Sequence, residues 1–101
     1  NRIDVTADQI ASDMALARSV AVSQGEIARF QGWEGGYRVS IPNTGRVLRQ
    51  RDFDGSVSLA DSVTVNFFPW GSAQSTAMNL DDGHQIKQIS VLPTGIVEVG
   101  P

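Results

Sequence analysis

A chain of 101 residues with 41% hydrophobic and 19% charged side chains has the size and composition of one folded domain, not of a disordered segment. Its net charge of −3 at pH 7 offers no basic surplus for nucleic acid, and without cysteine it has neither a disulfide framework nor a thiolate zinc site. No apolar run approaches the roughly 20 residues that cross a bilayer as a helix, and no signal peptide is visible; the opening Asn1-Arg2-Ile3-Asp4, without an initiator Met, leads us to expect a processed product with a segment missing upstream.

The first predicted element is a helix from Thr6 to Gln24. Thr6 and Gln9 have the spacing of an N-terminal capping box, and Asp8 suits the positive end of the helix dipole. Ile10, Met14, Ala17 and Ala21 recur at helical spacing in one narrow stripe, and Gly25 supplies a left-handed stop. The period then becomes strand-like. Strands are predicted over Glu26 to Gln31, Tyr37 to Ile41 and Arg46 to Arg51, separated by turns at Gly32–Gly36 and at Pro42-Asn43-Thr44-Gly45. Val57 to Leu59 and Val63 to Phe67 flank Ala60-Asp61. Thr76 to Leu80 and Gln85 to Val91 pair around Asp81-Asp82-Gly83-His84, and Ile96 to Val99 closes the chain after Pro93-Thr94-Gly95. The reading is a single α+β domain over residues 1–101, with one helix (about 6–24) and a β region (about 26–99) of about seven short strands.

Little in this pattern carries catalytic or metal chemistry. His84 is the single histidine, and Asp81 and Asp82 beside it make a solvated turn the natural reading, since a metal site wants more converging ligands. Asp52-Phe53-Asp54-Gly55 begins like a calcium loop, but the further acidic ligands are replaced by Ser56, Ser58 and Leu59, which leaves at most a weak site at Asp52/Asp54. There is no G-x-S-x-G elbow, and paired carboxylates in exposed turns are poorly placed to have their pKa raised by burial. We therefore expect no catalytic residue, no metal site and no cofactor. Arg46, Arg49 and Arg51 form a local basic stretch, with Arg49 and Arg51 on one strand face and Asp52 and Asp54 close enough to neutralise them. Trp33, Tyr37, Phe67, Phe68 and Trp70 are expected chiefly as core plugs; the other reading is a carbohydrate- or base-stacking platform.

The helix has a second face. Opposite the Ile10 stripe lie Asp8, Ser12, Ser19 and Ser23, with Leu16 at one edge and Ala15 and Val22 on the other flank. Either Leu16 covers the rim of a sheet, or Ala15, Leu16, Ser19, Val22 and Ser23 form a face that packs against other subunits.

Four stretches, in order, carry a family resemblance. LARSVAVSQGE (Leu16 to Glu26) resembles the Ala-Arg-Ser-Glu-Ala-Ile helix end of the GspH/FimT-type pseudopilins. GWEGGYRVSI (Gly32 to Ile41) is similar to the family's Gly-Trp-x-x-Gly-aromatic segment, VNFFPWGSA (Val65 to Ala73) to its Phe-x-Pro-x-Gly turn, and ISVLPTGIVEV (Ile89 to Val99) to its closing Ile-x-Val-x-x-x-Gly hairpin. The resemblance implies a pilin-like fold in which the helix lies on antiparallel sheets, continuing an upstream hydrophobic helix that anchors a precursor in the bacterial inner membrane. It implies a non-enzymatic minor subunit of a type IV pilus or of the type II secretion pseudopilus, located in the periplasm or in the filament, with other pilin subunits as partners and a part in the priming or tip complex. Two departures stand out. Val20 replaces a Glu common in the family, and Gly95-Ile96-Val97-Glu98 stands where some FimT-like members carry a DNA-binding Gly-Arg-x-Arg, so no nucleic-acid partner is expected. The competing reading is a secreted β-sandwich that binds a ligand such as a glycan through Trp33 and Trp70.

Overall fold

The computed structural model describes residues 2–100. Helix α1 runs from Arg2 to Gln24, one turn further upstream than the capping pattern implied. Ile3 and Ala7 continue the apolar stripe of Ile10, Met14, Ala17 and Ala21, and all six are fully buried. That burial outweighs the cap signal. Thr6 is not the N-cap but a buried residue inside the helix, and its hydroxyl donates to the Arg2 carbonyl at 2.8 Å, one turn back. The acidic residue of the first turn is Asp4, paired with Lys87, not Asp8. The other end is as expected. Gly25 has φ 65° and the Glu26 N–H donates to the Ala21 carbonyl at 3.2 Å, the long-range bond of a Schellman stop.

Eight strands follow: β1 Ala28–Trp33, β2 Gly36–Ile41, β3 Arg46–Asp52, β4 Ser58–Leu59, β5 Val63–Phe67, β6 Thr76–Asp81, β7 Ile86–Val91 and β8 Val97–Val99. They form two antiparallel four-stranded sheets, ordered β3-β2-β1-β5 and β4-β6-β7-β8. Strand β1 lies two residues later than predicted. The Schellman stop takes up Glu26, and the β1–β2 hairpin closes on Trp33 opposite Gly36, so that Gly32 and Trp33 belong to the strand and Glu34-Gly35 alone make the turn.

The chain crosses between the sheets three times, by entering β4, by returning to β5 beside β1, and by leaving β5 for β6. The helix lies over both sheets on their inner faces. Phe30, Tyr37, Val39, Val65 and Phe67 from the first sheet meet Met78, Leu80, Ile89 and Val91 from the second beneath the helical stripe. Phe30 and Tyr37 stack with centroids 5.1 Å apart. Tyr37 and Phe67 are core residues as expected, whereas Trp33 and Phe68 are half-buried and Trp70 is 75% exposed. The core reading fails for Trp70 because its turn projects beyond the end of β5.

Candidate functional site

The side chain of Arg18 leaves α1 toward two turns. Its Nε donates to the Gly71 carbonyl at 2.8 Å. A Cβ placed on Gly95 would lie 2.4 Å from that same carbonyl and 2.6 Å from Arg18 Nε, so no side chain fits there; the φ of 86° at Gly95 demands glycine independently. The turns also bond to each other, through Ala73 N–H to the Pro93 carbonyl at 3.1 Å. One arginine on the helix thereby holds the 68–73 turn and the 92–96 turn at one point. Between Phe68 and Gly71, the ring of Trp70 stands out into solvent, stacked on Phe68 at 5.1 Å with the planes 5° apart.

This arrangement brings Trp70 beside the second face of α1. Ala15, Ser19, Val22 and Ser23 are exposed and, with Arg18, Trp70 and Gly71, line an open groove of about 460 Å³. Leu16 is half-buried and is not among the groove's lining residues. Asp8 and Ser12 are exposed further along the helix. Sequence reasoning missed that Trp70 belongs with this face; the signal available was its position in a Pro-x-Gly turn, which favours an outward side chain. A second groove, of about 650 Å³, opens on Trp70 from the end of β1 and the β2–β3 turn.

The basic stretch has a different partner from the one expected. Arg51 Nε donates to Asp13 Oδ2 at 2.7 Å and Arg49 Nε lies 3.9 Å from Asp13 Oδ1; both reach the helix, not Asp52 or Asp54. Asp13 is buried, and the Tyr37 hydroxyl also donates to it at 2.6 Å. Burial and then the Asp13 hydrogen bond push the Tyr37 phenol well above its ordinary range, and the same carboxylate holds the Arg51 guanidinium more firmly protonated. The cluster ties the edge strand β3 to the helix. Asp54 instead accepts from the Ser56 hydroxyl at 2.7 Å and from Arg2 at 2.7 Å. These bonds, that of Ser56 foremost, keep its carboxyl below the usual range.

Asp81 and Asp82 accept backbone N–H bonds from Gly83, His84 and Gln85 at 2.7 to 2.9 Å, the self-contained turn that the sequence indicated. Among the described residues no group of three or more His, Cys, Asp or Glu is placed to hold a metal ion. None of their helices is long and apolar enough to cross a membrane.

The sequence profile of the GspH family, described as Type II transport protein GspH, matches residues 6–95. No curated protein sequence matches the chain. Among solved structures, the chain is similar to the Pseudomonas aeruginosa (strain PAO1) type IV minor pilin FimU in two crystal forms, at 17% identity in each. One alignment covers 97% of this chain and 92% of that one with a TM-score of 0.78; the other covers 97% and 87% with 0.79. At that identity the likeness is one of fold: a helix on antiparallel sheets, as in a pilin.

Proposed function

The chain belongs to the GspH family, and from that membership, together with its pilin-like fold, we infer that it is a minor pilin or pseudopilin subunit of a type IV pilus or of a type II secretion pseudopilus. Its work is assembly, through contacts with other pilin subunits, and no chemistry is asked of it. The observation that carries this reading is the helix. One stripe of α1 is wholly buried on the sheets, while the opposite side, Ala15, Ser19, Val22 and Ser23, is exposed, small-sided and walled by Trp70. Small side chains let a neighbouring helix or sheet approach closely, and an exposed indole is the residue type that anchors protein interfaces.

In the finer reading, this face docks on the next subunit in the priming or tip complex. An apolar helix preceding α1 carries the precursor in the inner membrane, with the domain in the periplasm. The C-terminal Gly95-Ile96-Val97-Glu98 supports a role without DNA: Gly95 is taken up by the Arg18 contact, and exposed Glu98 would repel phosphate. Intact mass and N-terminal sequence of the native protein test the anchor; a mature protein beginning at Asn1 and released in soluble form would remove it.

The docking face is tested by Leu16→Glu and Val22→Glu in the native host. Val22 is 50% exposed, so its variant should keep the folded stability while filament assembly or secretion is lost. Normal assembly by a well-folded Val22→Glu and Leu16→Glu pair would remove this face from the interface.

A further inference from the structure

The groove on the far side of Trp70 has a composition unlike that of the helix face. Three turns build it at one end of the molecule: the Schellman stop after α1, the β2–β3 turn and the Pro69-Trp70 turn. Ile27, Pro42 and Trp70 supply apolar walls, and Glu26, Arg29 and Asn43 supply planar polar groups. The indole is 75% exposed and is held in orientation by its stack on Phe68. Arg29 is also held: its Nε donates to Asn66 Oδ1 at 2.8 Å, which leaves the terminal nitrogens of the guanidinium to serve the groove. Neither Glu26 nor Asn43 spends its side chain on a partner among the described residues.

An oriented, exposed indole beside an arginine, a carboxylate and a primary amide is the donor and acceptor set that a sugar ring requires. The axial C–H groups of a pyranose form an apolar face that stacks on an aromatic ring. Its adjacent hydroxyls are at once donors and acceptors, and planar side chains with paired polar atoms bind two of them together. A protein helix would need instead a continuous apolar floor, and among the groove's lining residues Ile27 is the single aliphatic chain. The volume of about 650 Å³ lies within the range of small-ligand sites. We propose that this groove binds a short oligosaccharide, with one sugar ring stacked on Trp70 and its hydroxyls held by Arg29, Asn43 and Glu26. The site shares Trp70 with the helix face but is otherwise lined by different residues, and the inference does not rest on the assembly role.

The test uses the two tryptophans as reporter and control. Chitotetraose, cellotetraose and maltotetraose are titrated at millimolar concentration into the 15N-labelled protein, and the two indole N–H resonances are followed. The Trp70 signal should shift and saturate with at least one sugar, while the Trp33 signal stays in place. Trp70→Ala should weaken binding about tenfold or more, and Arg29→Lys, which keeps the charge but loses the paired N–H groups, should weaken it several-fold. Val22→Glu, on the helix face, should leave the titration unchanged even where it abolishes assembly, so the two readings fail separately. Absence of a Trp70 shift with all three sugars would overturn the proposal. So would unchanged sugar affinity in Trp70→Ala. A third overturning result is a Trp70→Ala protein that loses assembly when the parent binds no sugar, which would assign the indole to the subunit interface.

Discussion

Arg18, Gly71 and Gly95 lie in three separate stretches of the sequence and meet at one point, with Arg18 and Gly71 bonded across 53 positions. Each is modest alone. Together they set where the Trp70 turn sits relative to the helix, and with it the geometry of both grooves. Gly95 is the least replaceable of the three, because a positive φ and a carbonyl in contact distance both exclude a β-carbon. Gly95→Ala should lower stability by about 2 kcal/mol or more, the sum of left-handed strain and a displaced contact. Urea denaturation reads this directly; an unchanged midpoint would mean that the turns relax freely and that Arg18 is no anchor. Val20, where the resembled motif has a Glu, is half-buried in α1.

At the scale of elements, the helix is held by two kinds of contact. The apolar stripe was readable because its spacing follows the helical period. Asp13 was not recognised, although it sits three residues after Ile10 and four before Ala17, and so on the buried side. Its burial is tolerated because Tyr37 and Arg51 both donate to it, with Arg51 38 positions away. Strand β3 depends on this bond more than its neighbours do: it is an edge strand, and most of its residues are exposed or half-exposed. Asp13→Ala leaves the Tyr37 hydroxyl buried without its acceptor and should cost about 2–3 kcal/mol. Hydrogen exchange should then quicken in β3 before it quickens in β1 or β5. Uniform quickening across the sheet would show that Asp13 stabilises the whole fold without any preference for its edge.

For the whole molecule, these contacts predict the pH profile. In the folded state the Tyr37 phenol is held neutral by burial and by the Asp13 carboxylate beside it. The unfolded chain ionises it near 10.0, so this contribution is complete below that pH and is lost as pH rises above it. Tyr37 is the single tyrosine, so phenolate absorbance should appear only together with alkaline unfolding. Phenolate formation with an ordinary midpoint in a protein that keeps its near-UV signal would contradict the buried hydrogen bond. On the acid side, Asp54, Asp82 and Asp4 are held below 3.8 by hydrogen bonds from Ser56, from Gln85 and His84, and from Lys87. Their contribution is present above that value and fades as pH falls through the lowered ones. All three are at the surface, so the acid limb should be shallow.

The sequence by itself determined the class of the domain, the buried stripe of α1, its stop at Gly25 and the order of strands and turns, while the family was legible from the resemblance of four motif stretches. The structural features follow from periodicity and from turn chemistry, which act between residues a few positions apart and so leave a local signature. Only the tertiary structure decided that Thr6 is inside the helix, that Arg49 and Arg51 turn to Asp13, and that Trp70 leaves the core to stand between two grooves. Each of those outcomes is a choice among partners distant in the chain. Such a choice is made by which side chains the packed sheets bring within contact distance, and no spacing along the sequence encodes it.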